Sequence, residues 1–210
     1  MIAEYETVAA QVDTEIEITR SRFLTRLVRV ADEAAAREAI ADVRAEHPRA
    51  RHHCSAFVLG PDGRVQRSND DGEPSGTAGA PMLDALVSAG LSDVVAIVTR
   101  YFGGVLLGAG GLTRAYRASV ADAVLAAPRV RRGLRVEAVV ECSYEVSGQL
   151  EAEARRRGFG IGEADYGAGV THRFLVAERE VPVLEELAAS VSAGAAGFST
   201  GETRYVDLPG

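Results

Sequence analysis

The residues best suited to chemistry fall in two stretches. From Asp70 to Gly79, Asp70-Asp71-Gly72-Glu73-Pro74-Ser75-Gly76-Thr77-Ala78-Gly79 sets three carboxylates, two hydroxyls and three glycines ahead of a predicted helix. Asp, Gly, Pro and Ser all favour turns, so a polar turn is one reading, but so dense a run also suits a binding rim. Ser75, Thr77 and the amides of Gly76 to Gly79 would then stand at a helix N-terminus, where the dipole favours an anion. Asp70, Asp71 and Glu73 would oppose that anion unless a divalent cation lay between them. That tension leaves a structural network or a metal as the two readings.

The second stretch, Thr99 to Tyr116, places five glycines between a strand end and a helix start, a layout that holds phosphate on backbone amides. It has neither Gly-x-x-x-x-Gly-Lys-Ser/Thr nor Gly-x-Gly-x-x-Gly, so P-loop and Rossmann assignments both fail. Arg100, Arg114 and Arg117 beside Gly103, Gly104, Gly110 and Gly111 suit phosphate on a nucleic acid, a nucleotide or a metabolite. Tyr101, Phe102 and Tyr116 have rings that stack on bases, although spacing favours Phe102 and Tyr116 as core. The candidate binding set is therefore Arg100, Tyr101, Gly103, Gly104, Gly110, Gly111, Arg114 and Arg117, with Asp70, Asp71, Glu73, Ser75 and Thr77. No residue is assigned a catalytic role.

Imidazole and thiol also meet at His52-His53-Cys54, with His47 nearby. Neighbours on a strand face opposite ways, so only His52 and Cys54 share a side, and no closed four-ligand zinc site or oriented Cys-His pair can be named. Neither a metal nor another cofactor is expected. His172 alternates with Val170, Phe174 and Val176 as a core histidine, and Cys142 is core as well.

These stretches need a scaffold. Asp32 is placed to cap a helix with an apolar stripe at Ala36, Ile40, Val43 and His47, which Pro48 ends. A second helix runs from about Ala80 to Gly90. A third, from about Gly110 to Ala127, buries Leu112, Tyr116, Val120 and Val124 and turns Arg114 and Arg117 elsewhere. Strands are expected at Glu15 to Ile18, Phe23 to Val30, Cys54 to Leu59 and Val94 to Val98, the last apolar enough to be buried on both faces. After Pro128 to Gly133 the order becomes strand, helix, strand, strand, helix, strand, a ferredoxin-like split βαβ unit. The fold class expected is α+β in two domains: residues 1–128, a sheet covered by helices, and residues 133–210, ferredoxin-like.

Composition narrows the function. The chain has 210 residues, 47% hydrophobic and 25% charged, which is globular rather than disordered. No apolar run approaches the length of a membrane span. The first residues are acidic where a secretory signal is basic, so a cytoplasmic location is expected. Two cysteines in separate domains make no disulfide framework. All basic side chains are arginine, the net charge is −7 and neither half is basic, so nucleic-acid binding would need a local patch.

Taken together, Ser21-Arg22-Phe23, the His-x-Cys at 52 to 54, the acidic glycine loop from Asp70 to Gly79, and Arg100-Tyr101-Phe102-Gly103-Gly104 through Gly110-Gly111-Leu112 to Arg114-Ala115-Tyr116 resemble the IMPACT/YigZ family. The family usually has Asn where this chain has His53, and many members have Lys where it has Leu106. The resemblance implies a first domain folded like domain IV of the translocation elongation factor and a ribosomal small-subunit protein, and a second like that factor's last domain. Eukaryotic relatives act in translational control by binding a regulator of an initiation-factor kinase through an extra N-terminal domain, a role not expected to transfer here.

The function expected is that of a non-enzymatic binding protein linked to translation, contacting RNA or the ribosome through the glycine- and arginine-rich face. The competing expectation is a metal-dependent, phosphate-handling hydrolase with a cation held by Asp70, Asp71 or Glu73. A purely protein-binding adaptor is a third possibility.

Overall fold

Val94 to Val98 has no polar side chain, and an all-apolar strand is stable only when both its faces are covered. In the computed structural model, which describes residues 2–209, that run lies in the middle strand of a five-stranded sheet. The chain divides into two units: one runs up to Arg132 and takes the chain back from Leu208, and the other is Gly133–Asp207.

In the first unit, β1 (Glu4–Val8) precedes β2 (Val12–Ile18) and β3 (Ser21–Arg29). Helix α1 (Glu33–Glu46) begins where expected, with the Asp32 carboxylate accepting the Ala35 amide at 2.8 Å. There follow β4 (His52–Leu59), β5 (Val65–Asn69), α2 (Gly79–Ser88), β6 (Val94–Tyr101) and α3 (Gly108–Ala126). The sheet order is β2-β3-β6-β4-β5. Alternation divides β6 between two cores. Val94, Ala96 and Val98 join Phe23, Leu27, Cys54 and Tyr116 on the side that also buries α2 and α3, while Val95 and Ile97 pack with Ala36 and Val43 of α1 on the other.

The second unit begins inside β7 (Arg129–Cys142) and continues with α4 (Tyr144–Arg156), β8 (Gly160–Tyr166), β9 (Val170–Val176), α5 (Val181–Val191) and β10 (Gly197–Asp207). Its strands lie in the order β10-β7-β9-β8, that of the ferredoxin-like unit. Leu150, Phe174, Leu184 and Leu187 centre its core, where His172 is buried with Nε2 2.8 Å from the Ser147 hydroxyl. Pro128 to Gly133, which interrupts the sequence pattern, is not a loose connection, since β7 is already extended from Arg129.

Candidate functional site

The two chemistry-bearing stretches meet at one buried carboxylate. Oε1 of Glu73 accepts from Arg100 at 2.7 Å and from the Tyr116 hydroxyl at 2.8 Å. The strand period that puts Val94, Ala96 and Val98 in the core puts Arg100 there too. Only 7% exposed, Arg100 lies between the rings of Phe23 and Phe102, its guanidinium carbon 5.5 and 5.6 Å from their centroids. A second nitrogen reaches the Ser21 hydroxyl at 3.4 Å, and the same oxygen accepts the Gly103 amide at 3.2 Å. Arg100 is thus held below the surface by Glu73 and Ser21, while it still lines the floor of the cleft described below.

The acidic loop is also turned inward. Asp70 accepts the amides of Gly76, Ala78 and Gly79 at 2.8, 3.0 and 2.8 Å, so the start of α2 is filled by the protein's own carboxylate and does not form an anion rim. Burial alone would raise the Asp70 carboxyl, but the Gly76, Gly79 and Ala78 amides outweigh it and hold it below its usual range. Asp71 accepts from Arg44 at 2.9 Å and from the His53 amide at 2.7 Å, and these donors likewise outweigh burial. Thr77 donates its hydroxyl to the Pro74 carbonyl at 2.6 Å, while Ser75 is exposed. The loop is the structural network of the two readings. Its carboxylates are engaged by protein donors in place of the cation a hydrolase would need.

The histidines and the thiol serve the same network. His52 Nδ1 lies 2.9 Å from the Asp71 carbonyl, and Cys54 donates to the Asp70 carbonyl at 3.0 Å. Buried His53 faces Thr99 at 3.1 Å on the opposite side of the sheet. Burial pushes the Cys54 thiol up to about 12, so it is no nucleophile at neutral pH. Burial, with Arg44 nearby, lowers His53. Among the described residues, no three His, Cys, Asp or Glu side chains are grouped to hold a metal.

What remains open to solvent is a cleft of about 760 Å³ above the Glu73–Arg100 pair. Arg49, Arg51 and His52 line it beside Tyr101, Phe102, Leu106 and the first residues of α3, Gly108 and Ala109. Tyr101 is half-buried with its hydroxyl 3.1 Å from His47 Nδ1. Phe102 is not core, as its spacing suggested, but 56% exposed, because it lies one residue beyond the end of β6. Tyr116, at helical spacing inside α3, is fully buried as expected.

The glycines divide by role. Gly103 crosses so close to the β2–β3 turn that a Cβ would come within 2.0 Å of the Arg20 carbonyl. Gly104 has φ +85°, open to glycine and strained for other residues. Gly110 and Gly111 belong to the first turn of α3, whose N-cap, Leu107, provides no side-chain bond and whose first turn has no acid. Unlike α2, this helix start keeps its amides free of a carboxylate.

Arginines around the cleft differ in the same way. Arg117 pairs with Asp84 on the surface and is not among the residues lining the cleft. Exposed Arg114, beside Gly110, has no ion-pair partner among the described residues, and neither have Arg49 and Arg51. Arg49 and Arg51 were missed in the sequence. Two basic residues in the short connection after Pro48, with no acid between them, were the available signal.

The Impact N-terminal domain family model matches residues 19–124, which contain every residue of this cleft. The chain belongs to the IMPACT family. The IMPACT family member YvyE of Bacillus subtilis is 40% identical over 207 residues, covering 99% of this chain and 95% of that one. The IMPACT family member YigZ of Escherichia coli is also 40% identical, covering 95% and 96%. A crystal structure of a hypothetical protein, 37% identical, superposes with a TM-score of 0.66 over 96% of this chain and 99% of its own. The IMPACT resemblance read from the acidic glycine loop and the Arg-Tyr-Phe-Gly-Gly run is thereby established.

Proposed function

We propose that this IMPACT-family chain is a non-enzymatic binding protein of translation or its regulation, contacting RNA, free or on the ribosome, through the cleft of the first unit. The observation that carries the reading is a local one: on a protein of net charge −7, Arg49 and Arg51, with no ion-pair partner among the described residues, stand in a cleft with an exposed Phe102. Guanidinium groups without protein carboxylates are ready for phosphate, and an exposed ring is ready for a base. The link to translation rests on the fold relationship that the family resemblance implies.

The test is binding of the purified protein to ribosomes and to RNA at two salt concentrations, with Arg49→Ala/Arg51→Ala alongside. Binding is expected to weaken with salt. In the double variant the slope of log affinity against log salt should become shallower by about 0.7 for each phosphate of a single strand that is no longer neutralised. Salt-independent binding, or a double variant that binds as the parent does, would sink the proposal. Arg100→Ala is not a fair probe, because leaving Glu73 buried without its partner would cost about 3–5 kcal/mol of stability.

A further inference from the structure

We infer that Phe102 is a stacking platform for one unpaired nucleobase, with that nucleotide's phosphate on Arg49 and Arg51, so that the cleft takes single-stranded rather than duplex RNA. The inference rests on the RNA reading above and names the form of RNA the site accepts.

An exposed phenylalanine is usually a loose apolar side chain, and Phe102 is not placed like one. Its inner face lies against the Arg100 guanidinium, and Arg100 in turn lies against buried Phe23. Arg100 is itself held by Glu73 and Ser21, and Ser21 also takes the amide of Gly103, the residue after Phe102. No Cβ fits at Gly103, so the chain there closes directly on the β2–β3 turn. The ring is thereby backed by the Arg100 guanidinium, while the residue stays 56% exposed and lines the cleft. A platform ordered before binding loses little freedom when a base settles on it. Leu106, 87% exposed on the same loop, offers apolar contact without a π face.

The dimensions admit a nucleotide. A volume of about 760 Å³ lies in the range of small-molecule sites, roughly 300–1,000 Å³. Bases in an A-form duplex are already stacked on each other, and duplex RNA is read along its backbone rather than by rings in a cavity. Arg49 and Arg51 line the same cavity and bring two guanidinium groups, free of protein carboxylates, to the phosphate.

The chain contains no tryptophan, so Phe102→Trp in the whole chain places a single tryptophan, excited selectively over the six tyrosines, at the proposed platform. Oligoadenylate should quench it, whereas a duplex of equal length and inorganic phosphate should not. Phe102→Leu should weaken oligoadenylate binding by about 5- to 150-fold, the range alanine substitution gives for a stacked base, while Phe102→Tyr retains binding. A labelled strand that binds Phe102→Trp without quenching, or binds Phe102→Leu within about twofold of the parent, would overturn the stacking site and leave the RNA reading standing. Adenosine monophosphate quenching at the oligomer's affinity would overturn the strand as the ligand. Failure of the parent protein to bind any RNA or ribosome would remove the broader reading, and this inference with it.

Discussion

At the scale of single residues, the site is governed by which polar groups are buried and how each is satisfied. Glu73, Arg100, Asp70, Asp71 and His53 look like reactive groups in the sequence, yet each is held by protein partners. A buried neutral histidine makes stability depend on pH. The imidazole of His53 is lowered by burial, and that of buried His172 is lowered for the same reason. Between their lowered folded values and the ordinary value of about 6.5, the unfolded chain binds more protons than the folded one. The contribution of each is therefore complete above about pH 6.5 and is lost as pH falls through the folded value. Thermal melts from pH 7.5 to 5 should show falling stability, and His53→Asn, which keeps an amide for Thr99, should flatten that fall while His172 maintains a remainder. Depressed Asp70 and Asp71 add a second contribution to stability, present in full above the ordinary carboxylate value and lost as pH falls through their lowered folded values. A His53→Asn profile parallel to the parent would show that His53 titrates normally in the folded protein.

At the scale of elements, what positions the cleft is the close passage of the loop after β6 over the β2–β3 turn. A Cβ at Gly103 would meet Arg20 and Ser21 backbone, which cannot rotate away as a side chain would. Gly103→Ala should therefore destabilise by about 1–3 kcal/mol, as overpacking does, and weaken the proposed RNA binding by displacing Phe102. Gly148, inside α4 with open space around its Cβ position, is the contrast: Gly148→Ala should stabilise by about 0.5–1 kcal/mol through helix propensity. Chemical denaturation of both variants measures this directly. The same elements show what a sequence can convey. Asp32 and Pro48 mark α1 because capping and helix breaking act over a few residues, and the apolar run of β6 marks its own burial. Asp70 escapes such rules, because it caps α2 from outside the usual N-cap position after the chain turns back. The exposed strand β5 (Val-Gln-Arg-Ser-Asn) exists by pairing with β4 and carries no apolar alternation. Arg100 was legible in principle, since it continues the alternation of Val94, Ala96 and Val98.

At the scale of the whole molecule, an acidic protein that binds RNA must collect unpaired cations in one place, since its overall field opposes a polyanion. Every residue lining the cleft comes from the first unit, between Arg49 and Leu112, and that unit has its own buried cores. The second unit has a separate one, with Leu150 1% exposed among Phe174, Leu184 and Leu187. Folding and binding should accordingly be separable by mutation. Leu150→Ala removes buried methyl groups and leaves a cavity, a loss of about 2–5 kcal/mol. It should lower the stability of the second unit while RNA affinity, measured below the unfolding transition, stays at the parent value. Hydrogen exchange would locate the effect, with faster exchange in β9 and α5 and unchanged protection in β6. Loss of RNA binding in Leu150→Ala with β6 still protected would mean that the second unit takes part in recognition, and the binding surface would then have to extend beyond the cleft.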